Sequence, residues 1–363
     1  MLKLLCAALA VVYGAAIHGN ATAQEPPTYP APVEGDFIAK DFEFEDGNFL
    51  DLRIYYRTIG ELKRDENGRA TNAVLIGHGT TGSGASLLLE SFANVLFVDG
   101  GALDAEEYFI ILPDSIGHGQ SSKPSDGLRM KFPQYTYNDM VRAQYLLLSK
   151  GLDVDHLRLV MGTSMGGMQS WMWGYQYPDF VDAIMPLASL PVEIAGRNRM
   201  VRQLFIDAIK NDPAWNGGNY DEKPMAGMRA ASGALMFMTS SPLQMQKNAP
   251  TREQSEEMLT AIIGRYSNAL DPNDAIYAFD ASRHYNPQPH LEKIMAPLVA
   301  INSADDQVNP PELQILETEI QRVANGRAIV LPITDETRGH GTHSVAALWE
   351  DHLRNLLAAS ERQ

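Results

Sequence analysis

The sequence predicts an α/β fold: a mostly parallel sheet covered by helices on both faces, interrupted late in the chain by an inserted block of helices. Three observations carry this. Short, largely apolar runs recur at residues 73–76, 108–112, 157–161 and 183–187, and such runs are the mark of strands buried on both faces. Helical patterns separate them, the clearest at 137–150, where Met140, Val141, Tyr145 and Leu148 repeat with a helical period. Strands and helices alternating at this spacing form parallel strands joined by crossover helices. Third, the alternation stops near residue 189, gives way to helical patterns, and resumes at residue 298.

Composition bounds the rest. The 363 residues are 45% hydrophobic and 20% charged, ordinary for a globular chain with a large core. A net charge of −16 and a pI of about 4.9 argue against nucleic acid or anionic membranes as partners. The N-terminus reads as a signal peptide over residues 1–23. Lys3 begins it, an apolar stretch too short to span a bilayer follows over residues 4–17, and Ala21-Thr-Ala23 offers a small-residue cleavage site before Gln24. The chain's one cysteine, Cys6, falls inside that segment. The mature chain then has no disulfide, thiol nucleophile or thiolate metal site. Export without disulfides points to a periplasmic or secreted protein, cleaved after Ala23 and free of the membrane thereafter.

In order, residues 24–34 are a proline-rich lead-in. Residues 37–44 and 50–59 alternate apolar and polar around Asp46-Gly47-Asn48, a β-hairpin. A polar turn with Asn67-Gly68 leads to the strand at 73–76, then to Gly77-His-Gly-Thr-Thr-Gly82 and a helix over 85–97. The strand at 108–112 leads to a turn at 113–122, and the helix at 137–150 precedes the strand at 157–161. That strand meets Gly162-Thr-Ser-Met-Gly166, and a helix leaves from about 168 to 177, ended by Pro178. The loops at 77–82, 114–122 and 162–166 all follow strands, where parallel sheets place their sites. Helices are expected at 199–210, 225–238 and 253–270, then a strand at 298–301, a helix at 311–322, a strand at 327–331 and a closing helix at 344–358. The organisation is therefore a core over 24–188 and 286–363, with a helical cap inserted at 189–285. The cap's apolar surface makes it a candidate homodimer contact.

G-x-S-x-G between a strand and a helix puts a serine at the apex of a tight turn, its hydroxyl clear of the sheet. Ser164 is the candidate nucleophile. The Met165 N–H and the positive end of the outgoing helix face the same spot. A serine hydroxyl needs a histidine base, and the histidine needs an acid to hold its tautomer. In a sheet of this kind both lie downstream of the serine. The strand at 298–301 is followed by Asn302-Ser-Ala-Asp-Asp306, and the strand at 327–331 by Arg338-Gly-His-Gly-Thr-His343. Asp305 or Asp306 is then the acid, and His340 or His343 the base. Thr80 N–H, in the glycine-rich loop after the third strand, is the second oxyanion donor beside Met165. His78, Asp114 and His118 read as structural. Met225, Met228, Met236, Met238 and Met245 suit a core or an adaptable apolar pocket. Arg197, Arg199 and Arg202 suit a solvated helix face or a substrate carboxylate. No metal-ligand spacing, phosphate loop or dinucleotide fingerprint is present, and the chemistry calls for no cofactor.

Four stretches resemble the homoserine O-acetyltransferase-like family of α/β-hydrolases. They are Phe132-Pro-Gln-Tyr-Thr-Tyr-Asn-Asp-Met-Val-Arg-Ala-Gln144, Gly162-Thr-Ser-Met-Gly-Gly-Met-Gln169, Asp212-Pro-Ala-Trp-Asn-Gly-Gly-Asn-Tyr220 and Asp306-Gln-Val-Asn-Pro-Pro-Glu312. The resemblance implies the α/β-hydrolase fold with an inserted cap. It selects Asp306, because the family's acid stands four residues before the paired prolines. It selects His340, because the family's histidine follows a glycine after the last strand. Two departures stand out. The family's acetyltransferases carry a tyrosine–arginine pair whose arginine grips the amino-acid carboxylate, where this chain reads Met238-Thr-Ser-Ser-Pro242. The aspartate that usually follows the catalytic Gly-His is Gly341. The expectation is a secreted serine hydrolase acting on a small-molecule ester, lactone or amide, with acyl transfer to a small hydroxylated acceptor as the alternative.

Overall fold

The computed structural model describes residues 29–361; the expected signal peptide lies outside them. The sheet has eight strands: β1 (Val33–Glu43), β2 (Phe49–Ile59), β3 (Ala73–Gly77), β4 (Phe109–Pro113), β5 (Leu159–Thr163), β6 (Ile184–Leu187), β7 (Leu298–Ser303) and β8 (Gly326–Leu331). Their spatial order is β1-β2-β4-β3-β5-β6-β7-β8. The hairpin β1–β2 is antiparallel and joins antiparallel to β4. All later pairings are parallel. β1 begins at Val33, inside the expected lead-in.

The side-chain period of two divides the apolar strands between two cores. Leu75, Ile111, Val160 and Ile184 face one side and pack with Val141, Trp171 and Trp173. Val74, Ile76, Ile110, Leu112 and Met161 face the other, against Phe92, Leu96, Trp349 and Leu353. The helices covering these faces are α1 (Glu90–Leu96), α2 (Tyr137–Leu146), α3 (Met165–Gln176) and, at the end of the chain, α10 (Glu350–Ala359). Thr136 caps α2, its hydroxyl accepting Asp139 N–H while Asp139 accepts the Thr136 N–H.

The expected helix at 85–97 is broken. A 3-10 turn over Gly84–Leu88 ends at Leu89, whose ψ of 142° is extended, before α1 begins. The 3-10 turn is anchored at its start, where Gly84 N–H donates to the Asp114 carboxylate at 2.7 Å. The closing helix also starts later than expected, because Val345 and Trp349 have non-helical backbone.

Between β6 and β7 run α4 (Gly196–Lys210), α5 (Met225–Thr239), α6 (Pro242–Asn248), α7 (Arg252–Ala269) and α8 (Pro272–Asp280). They have their own small core of Phe205, Ile206, Ile209, Met228, Ile276 and Phe279, with Phe205 and Phe279 stacked at 4.0 Å. Met228 therefore serves as core. α6 and α8 go beyond the expected helices. Each starts at a serine or aspartate followed by proline, Ser241-Pro242 and Asp271-Pro272, a start signal that periodicity alone passes over. These helices meet the loops after β7 and β8. Asn198 Nδ2 donates to the Val308 carbonyl, and Gln244 Nε2 to the Asp335 carbonyl. After β7 the expected single helix at 311–322 is split at Gln314, which takes φ 52°, leaving α9 (Ile315–Glu319) between two 3-10 turns.

Candidate active site

Ser164 sits between β5 and α3 with φ 53° and ψ −107°, a strained backbone for any residue with a Cβ. Its neighbours fix it there. Ser164 N–H donates to the Leu187 carbonyl and Gly166 N–H to the His78 carbonyl, both at 2.9 Å. α3 begins at Met165, directly after the serine and earlier than residue 168. Gly166 is required by the sheet as well as by the turn: a Cβ there would lie 2.1 Å from the Gly77 carbonyl oxygen. The elbow therefore presses on the end of β3, bringing the 78–82 loop to the serine. Gly79 packs against Ser164: a Cβ on this glycine would lie 3.7 Å from the serine Cβ.

His340 Nε2 lies 2.8 Å from Ser164 Oγ, and His340 Nδ1 lies 2.9 Å from Asp306 Oδ2. Asp306 is fully buried. Its carboxylate accepts Val308 N–H at 2.8 Å, Asn309 N–H at 3.2 Å and Asn309 Nδ2–H at 3.1 Å, besides His340. Burial alone would raise this carboxyl, but the His340 charge and these donors outweigh it and hold it below the ordinary carboxylate range. Asn309 also donates to the Ala188 carbonyl, so the acid loop is tied to the chain end of β6. Sequence reasoning passed over Asn309, which stands three residues after the acid; the Asx turn that Asp306 makes with Val308 N–H marks only the turn.

The alternates fall elsewhere. Asp305 accepts Ser303 Oγ–H and, at 2.9 Å, Gly339 N–H, so it holds the loop that carries His340. Gly339 itself has φ 62°, and a Cβ there would lie 2.8 Å from the Ser240 carbonyl oxygen. His343 stands edge-on to His340 at 5.4 Å between centroids and makes no contact with Ser164 or Asp306 through a hydrogen bond among the described residues. Burial, and then the neighbouring His340, pull it down to about 3.

The amides of Thr80 and Met165 donate to no other group among the described residues. His118 braces the Thr80 loop: its Nε2 lies 2.8 Å from the Thr80 carbonyl and its Nδ1 2.9 Å from that of Ile116. His78 accepts Ser115 N–H at Nε2, and its Nδ1 meets the Gly79 carbonyl. Asp114 pairs with Arg57 at 3.1 Å and accepts Gln120 N–H. All three brace the loops around the serine. Of the arginines, Arg199 lies 3.8 Å from Asp280 and Arg202 bonds Asn198 and Ser282. Arg197 reaches Gln307, beside the acid, and Met238. Among the described residues no group of three His, Cys, Asp or Glu is placed to hold a metal ion, and no helix is long and apolar enough to cross a membrane.

A buried serine, imidazole and carboxylate in one hydrogen-bonded line, next to two free amides, can activate a hydroxyl and stabilise an oxyanion. Comparison with known proteins agrees with this architecture. Residues 72–340 match the family model described as alpha/beta hydrolase fold. The chain is 33% identical over 276 residues to a homoserine O-acetyltransferase of Geotalea uraniireducens, covering 69% of this chain and 68% of that one. A solved homoserine O-acetyltransferase from Bacillus anthracis superposes with a TM-score of 0.79 at 23% identity, over 90% of this chain and 98% of the other. A solved acetylester hydrolase from Corynebacterium glutamicum superposes with a TM-score of 0.78 at 22% identity, over 90% and 96%. The chain therefore belongs to the α/β-hydrolase family, as an enzyme of its homoserine O-acetyltransferase-like group.

Proposed function

We propose that this protein is a serine hydrolase that cleaves a carboxylic ester through an acyl-enzyme. The observation that carries the reading is the continuous line Ser164–His340–Asp306, with contacts of 2.8 and 2.9 Å. Ser164 Oγ attacks the ester carbonyl as His340 Nε2 takes its proton. The amides of Met165 and Thr80 receive the oxyanion. His340 then protonates the departing alcohol, and the acyl group is left on Ser164. Water, deprotonated by His340, attacks the acyl-enzyme and releases the acid. Asp306 holds His340 with its proton on Nδ1 and stabilises the imidazolium.

Water as acceptor is favoured by what stands where the related acetyltransferases grip their amino acid. Met238-Thr-Ser-Ser-Pro242 carries no arginine, and its Ser240 carbonyl packs on Gly339. The second reading is acyl transfer to a small hydroxylated acceptor with the same residues, supported by the 33% identity to a homoserine O-acetyltransferase. A partition assay separates them. With a nitrophenyl ester as donor, a hydrolase yields free acid whether or not homoserine or a simple diol is added. A transferase diverts the acyl group into a new ester as acceptor rises.

We place the enzyme in the periplasm or outside the cell, with helices 189–285 as a cap that shapes the substrate pocket. N-terminal sequencing of exported protein should begin at Gln24; a retained Met1 would remove that assignment.

A further inference from the structure

Beside the candidate triad lies a cavity of about 10 Å³. Its wall includes Asp306, His340, Ser303, Thr342, His343 and Trp349. The volume is about what one water needs, and too little for any acyl group. Two of the wall residues carry a buried nitrogen with no hydrogen-bond partner among the described residues: His343 Nδ1 and Trp349 Nε1. Trp349 is only 1% exposed, so its indole N–H has no route to bulk solvent. Buried polar nitrogens left unpaired are strongly disfavoured, and two on residues that line one small cavity call for a shared partner. Wholly apolar cavities stay dry; this wall is mostly apolar but also carries the side chains of Ser303, His343 and Trp349.

We infer that this cavity binds a single ordered water that joins Trp349 Nε1 to His343 Nδ1 and makes His343 a positioning residue for His340. An indole N–H can only donate, so the water oxygen accepts it. With its own proton on Nε2, His343 accepts one water hydrogen at Nδ1. The second water hydrogen has Ser303 Oγ on the same wall; that hydroxyl spends its proton on Asp305 and keeps lone pairs to accept. The water thus ties the residue that starts α10 to the histidine loop. His343 presents its ring edge-on to His340 at 5.4 Å and 84°. Fixing the rotation of His343 fixes the surface against which His340 sits while its two nitrogens address Ser164 and Asp306. The positioning role rests on the triad reading above; the water site stands without it.

A high-resolution crystal structure of the wild-type enzyme tests the site. One density peak within hydrogen-bond distance of both nitrogens is expected; an empty cavity, or either nitrogen bonded elsewhere, overturns it. Kinetics test the role. His343→Phe keeps a ring but removes Nδ1, and should lower kcat about tenfold with KM unchanged, as expected for a displaced base. His343→Gln, which can still accept from the water, should restore most of that loss. Wild-type kcat in His343→Phe, or a Gln variant as slow as Phe, overturns the positioning role. Stoichiometric labelling of Ser164 by a phosphonate, run on the wild type, keeps this apart from the triad reading: failure to label removes the triad and leaves the density result to decide the water.

Discussion

The two adjacent aspartates give the sharpest prediction, because the same isosteric change should have very unequal consequences. Asp306 accepts four hydrogen bonds, two backbone N–H on Oδ1 and the Asn309 amide and His340 on Oδ2. Asn309's amide is held by the Ala188 carbonyl, so it cannot turn to become an acceptor. In Asp306→Asn the new carbonyl must face the two backbone donors. The NH₂ then faces His340, which can meet it only by giving up its Nδ1 proton. The imidazole is left protonated on Nε2, toward Ser164, in the tautomer that cannot act as base. In a serine protease triad this exchange costs about 10⁴ in kcat, about 5 kcal/mol of barrier. Asp305 is different. It accepts Gly339 N–H on one oxygen and the adjustable Ser303 hydroxyl on the other. An asparagine there can keep its carbonyl on Gly339 and donate to the hydroxyl, so the loss should stay within about tenfold. Initial rates of nitrophenyl ester hydrolysis by the two variants and the wild type measure both. Equal losses, or a larger loss at Asp305, would refute the assignment of the acid.

Other expectations follow from the same contacts. Removing the brace under the oxyanion loop in His118→Ala should lower kcat about tenfold to a hundredfold with little change in KM; an unchanged kcat in steady-state assays would free Thr80 of that support. Gly166→Ala forces a Cβ to 2.1 Å from the Gly77 carbonyl. Urea unfolding should show a loss of about 3 kcal/mol or more, or no soluble protein, and wild-type stability would contradict the elbow packing. Acid should destabilise the fold. His78, fully buried, is pulled by burial and then by His118 from 6.5 to about 3, so the unfolded chain binds the extra proton between those values. Its contribution is complete above about pH 6.5 and is lost as pH falls toward 3. Asp306, held low, adds a contribution present above the usual aspartate range and lost as pH falls through it. Urea midpoints should fall steadily from about pH 7 to about pH 4, less steeply in His78→Gln; a flat profile would contradict the buried neutral histidine.

Much of this was legible in the sequence because it rests on local rules. Fully buried strands read as apolar runs, and the strand–turn–helix around Ser164 reads as an elbow because its glycines sit where backbones touch. Chain order and strand ends, which the topology of a parallel sheet fixes, narrow the acid to Asp305 or Asp306 and the base to His340 or His343; the family resemblance selects Asp306 and His340. The partners of those residues were not legible. Asn309 holding Asp306, Asp305 holding Gly339 and His118 reaching Thr80 are contacts made by loops, and no periodicity encodes them. Helix ends were misplaced for a similar reason. The turn before the break at Leu89 is tied from Gly84 to Asp114, far along the chain, and tertiary context of this kind overrides local propensity.

Whether Ser164 is an acyl-accepting nucleophile can be read by mass spectrometry of the protein mixed rapidly with a nitrophenyl ester, beside Ser164→Ala. The triad requires a transient acyl adduct on the peptide carrying Ser164, decaying to free acid, and neither adduct nor turnover in the variant. Turnover that survives in Ser164→Ala, or an adduct on any other residue, would contradict it.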